Sequence, residues 1–181
     1  MTDEDTEKEE IELFRQEVDN KFKEEILEIC REDGEEKKDD GDGDLKSLDD
    51  FSSTEQGTAL VKWYCKNMGE ISDDDIDQAI SVGGPRDKGA DFFHIEKKDD
   101  IIEISWGQGK FLKDFTKPPD SSEIEKFFQT IEILEGRKKC SNPNSVLKKN
   151  ISKYQKTIEK EDVTIKRKMI FFSTGRKPSD G

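Results

Sequence analysis

The stretch that decides the fold is residues 83–111, GGPRDKGADFFHIEKKDDIIEISWGQGKF. Two short apolar runs within it, residues 92–96 and 101–106, are typical of β-strands because they are rich in aromatic and β-branched residues. The charged residues 97–100 lie between these runs and are typical of a tight turn. The stretch therefore predicts a β-hairpin.

Residues that can carry chemistry lie at one end of this hairpin. Asp91 precedes the first strand, and Gln108 and Lys110 follow the second. Because side chains alternate between the faces of a strand, Gln108 and Lys110 continue the face of Trp106, whereas Glu103 points to the other face. A carboxylate, an amide oxygen and an ammonium can then surround a divalent cation and a phosphate. A structural interpretation is also open, since these residues can equally form a turn cap and a solvated strand end.

Length and charge limit what kind of protein this is. Its 181 residues can bury one core with room for an extension, although 41% of them are charged. The formal net charge of −13 is unevenly distributed: residues 1–50 contain 22 acidic and 8 basic residues, and residues 137–181 contain 4 acidic and 13 basic ones. The cationic last quarter can meet a polyanion, so the acidity of the whole chain does not exclude nucleic acid.

Cysteine and histidine usage argues against disulfides and zinc. Cys30, Cys65 and Cys140 lie far apart, and His94 is the single histidine. This spacing fits neither a disulfide framework nor a zinc site. The acidic N-terminus is unlike a signal peptide, and no apolar run approaches the roughly 20 residues of a membrane span. We therefore expect a soluble cytoplasmic protein with no membrane partner.

The apolar pattern divides the chain into an N-terminal helix and an α/β domain. Spacings of three and four predict an amphipathic helix over residues 11–32, and residues 34–44 are typical of an acidic linker. We expect the helix and linker within residues 1–45 and the α/β domain within residues 46–181. Because its apolar stripe has to be buried, the helix is expected to pack on its own domain or to form a homodimer or partner-protein contact.

The α/β domain is predicted to hold a small mixed β-sheet flanked by helices. Two helices separate the hairpin from the last strand, so this strand is expected to dock by a crossover, parallel to a central strand. A capping box of Ser122 and Glu125 is predicted to start the first of these two helices, and residues 169–172 are expected to be buried. Other predicted elements are helices over residues 54–68 and 72–79 and a last strand over residues 163–173.

The basic last quarter supplies candidate nucleic-acid contacts. Lys148 and Lys149 lie in the last predicted helix, and Lys166 and Lys168 lie in the last predicted strand. Such lysines can follow a phosphate backbone, which would make DNA or RNA the partner. They can equally neutralise the acidic N-terminal helix or keep the last helix solvated.

Residues 79–111, AISVGGPRDKGADFFHIEKKDDIIEISWGQGKF, resemble the D-x-G-(I/A)-D … Q-x-K core of the abortive phage infection (AIPR) family. The N-terminal domain of that family is similar to nucleases of the PD-(D/E)xK type. The order of the later helices and the last strand also resembles the order in that domain. The resemblance implies a restriction-endonuclease-like core and a metal-dependent endonuclease that hydrolyses phosphodiester bonds of DNA or RNA in antiviral defence.

Carried onto this chain, the resemblance implies a catalytic set of Asp91, Gln108 and Lys110. Asp91, Gln108 and Asp87 would ligate Mg²⁺ or Mn²⁺, and Lys110 would orient an attacking water or stabilise the transition state. In such folds an acid from the first core helix often completes the site, and Glu55 is the candidate here. Because Gln108 is neutral where many such sites have Glu, a catalytically inactive module that binds nucleic acid or a partner protein is the alternative.

Overall fold

The computed structural model describes residues 3–35, 47–80, 89–159 and 163–175. The elements in these ranges are α1 (Asp3–Glu35), a 3-10 turn (Leu48–Asp50), α2 (Ser53–Asn67), α3 (Asp73–Ile80), β1 (Phe92–Lys98), β2 (Ile101–Lys110), α4 (Ser121–Leu134), α5 (Ser145–Ile158) and β3 (Thr164–Ser173). The predicted helices and strands are therefore confirmed, with β2 extended to Lys110. The chain divides into two compact units, Met1–Ala59 and Leu60–Gly181.

In the first unit, α1 buries only the C-terminal part of its predicted apolar stripe. Ile26 and Cys30 are buried, whereas Leu13, Phe14 and Val18 are each at least half exposed. The thiol of Cys30 lies near the start of α2, and burial raises its pKa to about 11, so it remains protonated at neutral pH. Most of the predicted linker, residues 36–44, lies outside the described residues.

The second unit is built on a three-stranded mixed sheet in the order β1-β2-β3. β1 and β2 pair antiparallel, with Phe92 opposite Gly107. β3 pairs parallel with β2, with Lys110 opposite Ser173. The predicted hairpin and the predicted parallel crossover strand are both confirmed, and β2 is the central strand.

Helices cover both faces of this sheet within the second unit. On one face, which we call the α4 face, β2 packs against α4 and α5 through Ile102, Ile104, Trp106, Phe127, Ile131, Leu134, Leu147 and Tyr154. On the other, the α2 face, Phe92 packs against α2, α3 and the segment between them through Val61, Cys65, Ile71, Ile76 and Ala79. Residues of β2 with the parity of Trp106 therefore point towards α4, as the strand alternation predicts.

Two predicted details are wrong. Asp120, and not a box of Ser122 and Glu125, caps α4: its side chain accepts a hydrogen bond from the N–H of Ser122 at 2.8 Å. A carboxylate at this position is favoured because it also complements the helix dipole. Residues 169–172, expected to be buried, are only partly so: Met169 is 51% exposed and residues 170–172 are partly exposed, because β3 is an edge strand of the described sheet.

The core contains a buried hydroxyl that offers a stability test. Trp106 and Tyr154 are fully buried and make an edge-to-face contact at 5.7 Å between ring centroids. Within the described residues, neither the indole Nε1 of Trp106 nor the hydroxyl of Tyr154 has a hydrogen-bond partner. A buried hydroxyl that has no hydrogen-bond partner lowers the free energy of unfolding by about 1–3 kcal/mol.

We therefore expect Tyr154→Phe to leave the free energy of unfolding unchanged or to raise it by about 1 kcal/mol, because the change removes an unsatisfied polar group and keeps the ring. Urea unfolding of the full chain measures this difference. A loss of more than about 1 kcal/mol would instead show that a buried water satisfies the hydroxyl.

Candidate functional site

Asp91 is fixed against the end of β2. It directly precedes β1, and its backbone N–H donates to the carbonyl oxygen of Gly107 at 2.8 Å. Its carboxylate oxygen Oδ2 accepts a hydrogen bond from the N–H of Gly109 at 2.9 Å. These two bonds lie on either side of Gln108 in the chain. The carboxylate of Asp91 and the amide of Gln108 therefore lie at the same end of the sheet.

Gln108 places a buried amide oxygen in this site. The residue is 4% exposed, and its Oε1 has no hydrogen-bond partner within the part of the chain that the structure describes. Buried polar atoms rarely lack a hydrogen-bond partner in folded proteins. An exception is often explained by an ion or a water that binds to the atom. The orphaned oxygen is therefore the clearest structural sign of a ligand position in this region.

Gly89 keeps side-chain atoms away from this oxygen. Its φ of +84° lies in the left-handed region that favours glycine. A Cβ atom built on Gly89 would lie 3.2 Å from Oε1 of Gln108, tighter than an ordinary van der Waals contact. The side chain of any other residue at position 89 would crowd the amide oxygen of Gln108.

Lys110 extends the same face by two residues and meets α4. Its Nζ lies 3.0 Å from Oε2 of Glu123, in the first turn of α4. The other oxygen of Glu123 lies 3.4 Å from Nζ of Lys126. Sequence reasoning did not single out Glu123. The sequence does show an acidic residue in the first turn of the helix that follows β2. An acid at this position is also explained by its favourable interaction with the helix dipole, so it does not by itself indicate a site.

The Lys110–Glu123 pair is present at neutral pH. Burial opposes ionisation of Glu123, but the hydrogen bond and charge of Lys110, with help from Lys126, hold the pKa of Glu123 below its usual value of 4.5. A lowered carboxyl pKa stabilises the fold above pH 4.5, and this stabilisation disappears as the pH falls through the lowered pKa. Because both side chains are a quarter to a third exposed, the pair is worth at most about 1 kcal/mol.

Two further acids belong to the sequence prediction, Asp87 and Glu55. Asp87 lies outside the described residues. The carboxylate of Glu55 accepts hydrogen bonds from the N–H and hydroxyl of Ser52, at 2.9 and 2.7 Å, where it helps to start α2. Within the described ranges, no group of three or more His, Cys, Asp or Glu side chains could hold a metal ion. A cation site here would instead combine Asp91 with the amide oxygen of Gln108.

The candidate nucleic-acid lysines separate into two groups. Lys148 and Lys149 are exposed on α5, which covers the α4 face. Lys166 and Lys168 lie on β3 with the strand parity of the α2 face, and Nζ of Lys168 lies 2.7 Å from Oε1 of Glu103. The four lysines therefore do not form one continuous surface, because two lie on the helix that covers the α4 face and two point to the α2 face of the sheet.

A basic groove runs along α5. Its volume is about 560 Å³. The lining residues are Ser145, Lys148, Lys149, Ser152, Lys153 and Lys156, so every charged residue in it is a lysine. A shallow groove with one sign of charge attracts anions and is able to follow a phosphate backbone.

These features define a mixed α/β protein whose central strand ends at a carboxylate, a buried amide oxygen and a lysine–glutamate pair. No family model, no curated protein and no solved structure matches the chain. Among the described helices, none is both long enough and apolar enough to cross a membrane. Function is therefore inferred from the residues of the site.

Proposed function

We propose that this protein is a metal-dependent nuclease with a restriction-endonuclease-like core, which hydrolyses phosphodiester bonds of DNA or RNA. Anti-phage defence is the role that the resemblance to the AIPR family implies, and the scattered cysteines favour a location in the reducing cytoplasm. The single observation that carries the proposal is the buried Oε1 of Gln108, which has no partner among the described residues and lies at the strand end where Asp91 is fixed. Lys110 follows two residues further along the same face.

The residues present fit a hard divalent cation such as Mg²⁺ or Mn²⁺. These ions prefer oxygen ligands, and the site offers one carboxylate and one amide oxygen. Binding would satisfy Oε1 of Gln108, and Gly89 carries no side chain that would crowd that oxygen. Asp87 is the further carboxylate that the resemblance implies. A bound divalent ion supplies Lewis-acid polarisation of a phosphate oxygen and a lower pKa for a bound water.

The protein side chains would position and stabilise the reacting phosphate. The N–H of Gly109 orients the carboxylate of Asp91, so little freedom has to be lost when a ligand binds. The ammonium of Lys110 would stabilise the negative charge that grows on the phosphate oxygens in the transition state. Because the Lys110–Glu123 pair is weak, a substrate phosphate can replace Glu123 as the partner of Lys110.

We expect the full chain to cleave single- or double-stranded DNA or RNA in Mg²⁺ or Mn²⁺, and EDTA to stop the reaction. Asp91→Asn removes a charged oxygen ligand and is expected to lower the cleavage rate by on the order of 100-fold. A gel assay with labelled substrates measures the rate. Glu103→Gln is the matched control, because Glu103 lies on β2 but has the parity of the opposite face.

Equal rates for Asp91→Asn and the parent chain would contradict the proposed site. Absence of cleavage on all four substrates would favour the second candidate function, a catalytically inactive module that binds nucleic acid. The basic groove along α5 and the neutral Gln108 favour this second candidate. It predicts binding that weakens with salt, is unchanged by EDTA and is not followed by turnover.

The exposed part of α1 suits a protein contact under either function. Leu13, Phe14 and Val18 are at least half exposed on the first unit. Apolar side chains that cluster on one surface are typical of association sites. We assign this surface to a homodimer or partner-protein contact, as the N-terminal stripe predicts.

A further inference from the structure

A separate cleft lies in the second unit at the outer edge of β1. It has a volume of about 200 Å³ and is enclosed by α3, β1 and α5. Phe93 and Val146 are among the apolar side chains that line it. The candidate nuclease residues Asp91, Gln108 and Lys110 do not line it. The cleft is therefore distinct from the candidate nuclease site, and it shares Lys149 and Lys153 with the basic groove along α5.

The α5 wall of this cleft is suited to a phosphate group. Lys149 and Lys153 are four residues apart, so both ammonium groups project from the same side of the helix, and Asn150 lies between them in the chain. Two ammonium groups can share the oxygens of one phosphate through charge-assisted hydrogen bonds. The amide of Asn150 adds a neutral donor and acceptor beside them.

The opposite wall offers groups that recognise hydroxyls and ring edges. Asp75 and Gln78 line the cleft from α3. A carboxylate accepts hydrogen bonds from sugar hydroxyls, and an amide can both donate to and accept from a heterocyclic ring. Apolar side chains between the two walls give a surface on which a flat ring can lie.

We propose that this cleft binds a nucleoside phosphate, with the phosphate held by Lys149 and Lys153 and the nucleoside held between Phe93 and Asp75. The ligand can be a free nucleoside monophosphate or the phosphorylated end of a strand. The cleft is smaller than the ~300–1,000 Å³ of typical drug-sized ligand sites, so it takes no more than one nucleotide unit, part of which would extend out of the cleft. Binding requires neither a metal ion nor the candidate nuclease residues, and it goes beyond the function proposed above.

His94 provides a direct readout because it lines the cleft and is the single histidine of the chain. Burial lowers the pKa of His94 below 6.5, so the imidazole is neutral at neutral pH. The charged groups that face it from β1, α3 and α5 are Glu96, Lys98, Asp75, Lys149 and Lys153. A phosphate bound beside the imidazole favours its protonated form and should raise its pKa.

The test is an NMR pH titration of His94 in the full chain, in EDTA, with and without adenosine or uridine monophosphate. We expect saturable binding at millimolar concentration or below, and a rise of about one unit in the pKa of His94. Lys149→Ala and Lys153→Ala should each weaken binding about tenfold, because each removes a charge-assisted contact. Lys66→Ala, an exposed lysine on α2, is the control and should bind like the parent chain.

Three outcomes would overturn the proposal: no saturable change at His94, equal weakening by Lys66→Ala, or inorganic phosphate binding as tightly as the nucleotides. A competing oligonucleotide with a 5′-phosphate, compared with the same strand without it, distinguishes the two sources of the ligand. Competition that depends on the 5′-phosphate identifies the strand end, and no competition identifies the free nucleotide. Because the titration measures binding in EDTA and not cleavage, a negative result would overturn the proposed nucleotide cleft without contradicting the proposed nuclease activity.

Discussion

Lys110→Ala is expected to lower the rate of phosphodiester cleavage by on the order of 100- to 1,000-fold, the effect typical of removing one group that stabilises transition-state charge. The ammonium lies on the α4 face, two residues beyond Gln108 on β2. Replacing Lys110 with alanine removes the ammonium that would stabilise the negative charge on the phosphate oxygens in the transition state. The readout is the cleavage rate at saturating substrate in Mg²⁺ or Mn²⁺.

Loss of activity in this variant should not reflect unfolding. The Lys110–Glu123 pair is a quarter to a third exposed, so breaking it is expected to change the free energy of unfolding by less than about 1 kcal/mol. Thermal unfolding of Lys110→Ala checks this directly. Lys110→Arg keeps a positive charge and is expected to recover part of the rate, although the planar guanidinium does not reproduce a compact ammonium.

Lys126→Ala is the matched control for Lys110→Ala. Both lysines contact Glu123, at 3.4 Å for Lys126 and 3.0 Å for Lys110, but Lys126 projects from α4 and is 58% exposed. If only the lysine at the end of β2 stabilises the reaction, Lys126→Ala should cleave at nearly the parent rate. Equal losses in the two variants would mean that Glu123, and not Lys110, is the group that matters, and Lys110 would then lose its assigned role.

The elements that could be predicted from sequence are those whose signals are local. The hairpin follows from two β-rich runs around a charged turn, and Asp99 in that turn has the positive φ of a tight connection. The parallel docking of β3 follows from the two helices before it, because parallel neighbours need a long crossover. Strand alternation likewise assigned Gln108 and Lys110 to one face and Glu103 to the other.

The features that could not be predicted depend on contacts between distant segments. Glu123 belongs to the site because the start of α4 returns to the end of β2, which no spacing within α4 reveals. The burial of the Gln108 amide oxygen depends on its position near Gly89 and α4, whereas the sequence shows only a polar residue between two glycines. The cleft at His94 likewise needs three elements that are separated in the chain.

Gly107→Ala is expected to lower the free energy of unfolding by about 3 kcal/mol, because its Cβ has no room. That atom would overlap the backbone carbonyl oxygen of Ile170 and the ring of Phe92. Gly107 pairs with Phe92 on one side and with Ile170 on the other. A side chain here can only be accommodated by separating strands, since the carbonyl belongs to the β3 backbone.

Gly57→Ala is the matched control, because it adds the same methyl group where space is open. Gly57 lies within α2, and a Cβ built there has no heavy atom within 4 Å. Alanine in a helix interior is favoured over glycine by about 0.5–1 kcal/mol, so this variant should be slightly more stable than the parent chain. Urea unfolding of both full-length variants, followed by far-ultraviolet circular dichroism, gives the comparison.

Comparison of Gly107→Ala with Gly57→Ala tests the geometry of the candidate site as well as the packing of the sheet. The carbonyl of Gly107 accepts the hydrogen bond from the N–H of Asp91, so strand separation at Gly107 also displaces the carboxylate from Gln108. Gly107→Ala should therefore lose cleavage activity even where most molecules remain folded. A Gly107→Ala protein as stable as Gly57→Ala would mean that the strands are spaced too widely at this point to hold Asp91 and Gln108 around one cation.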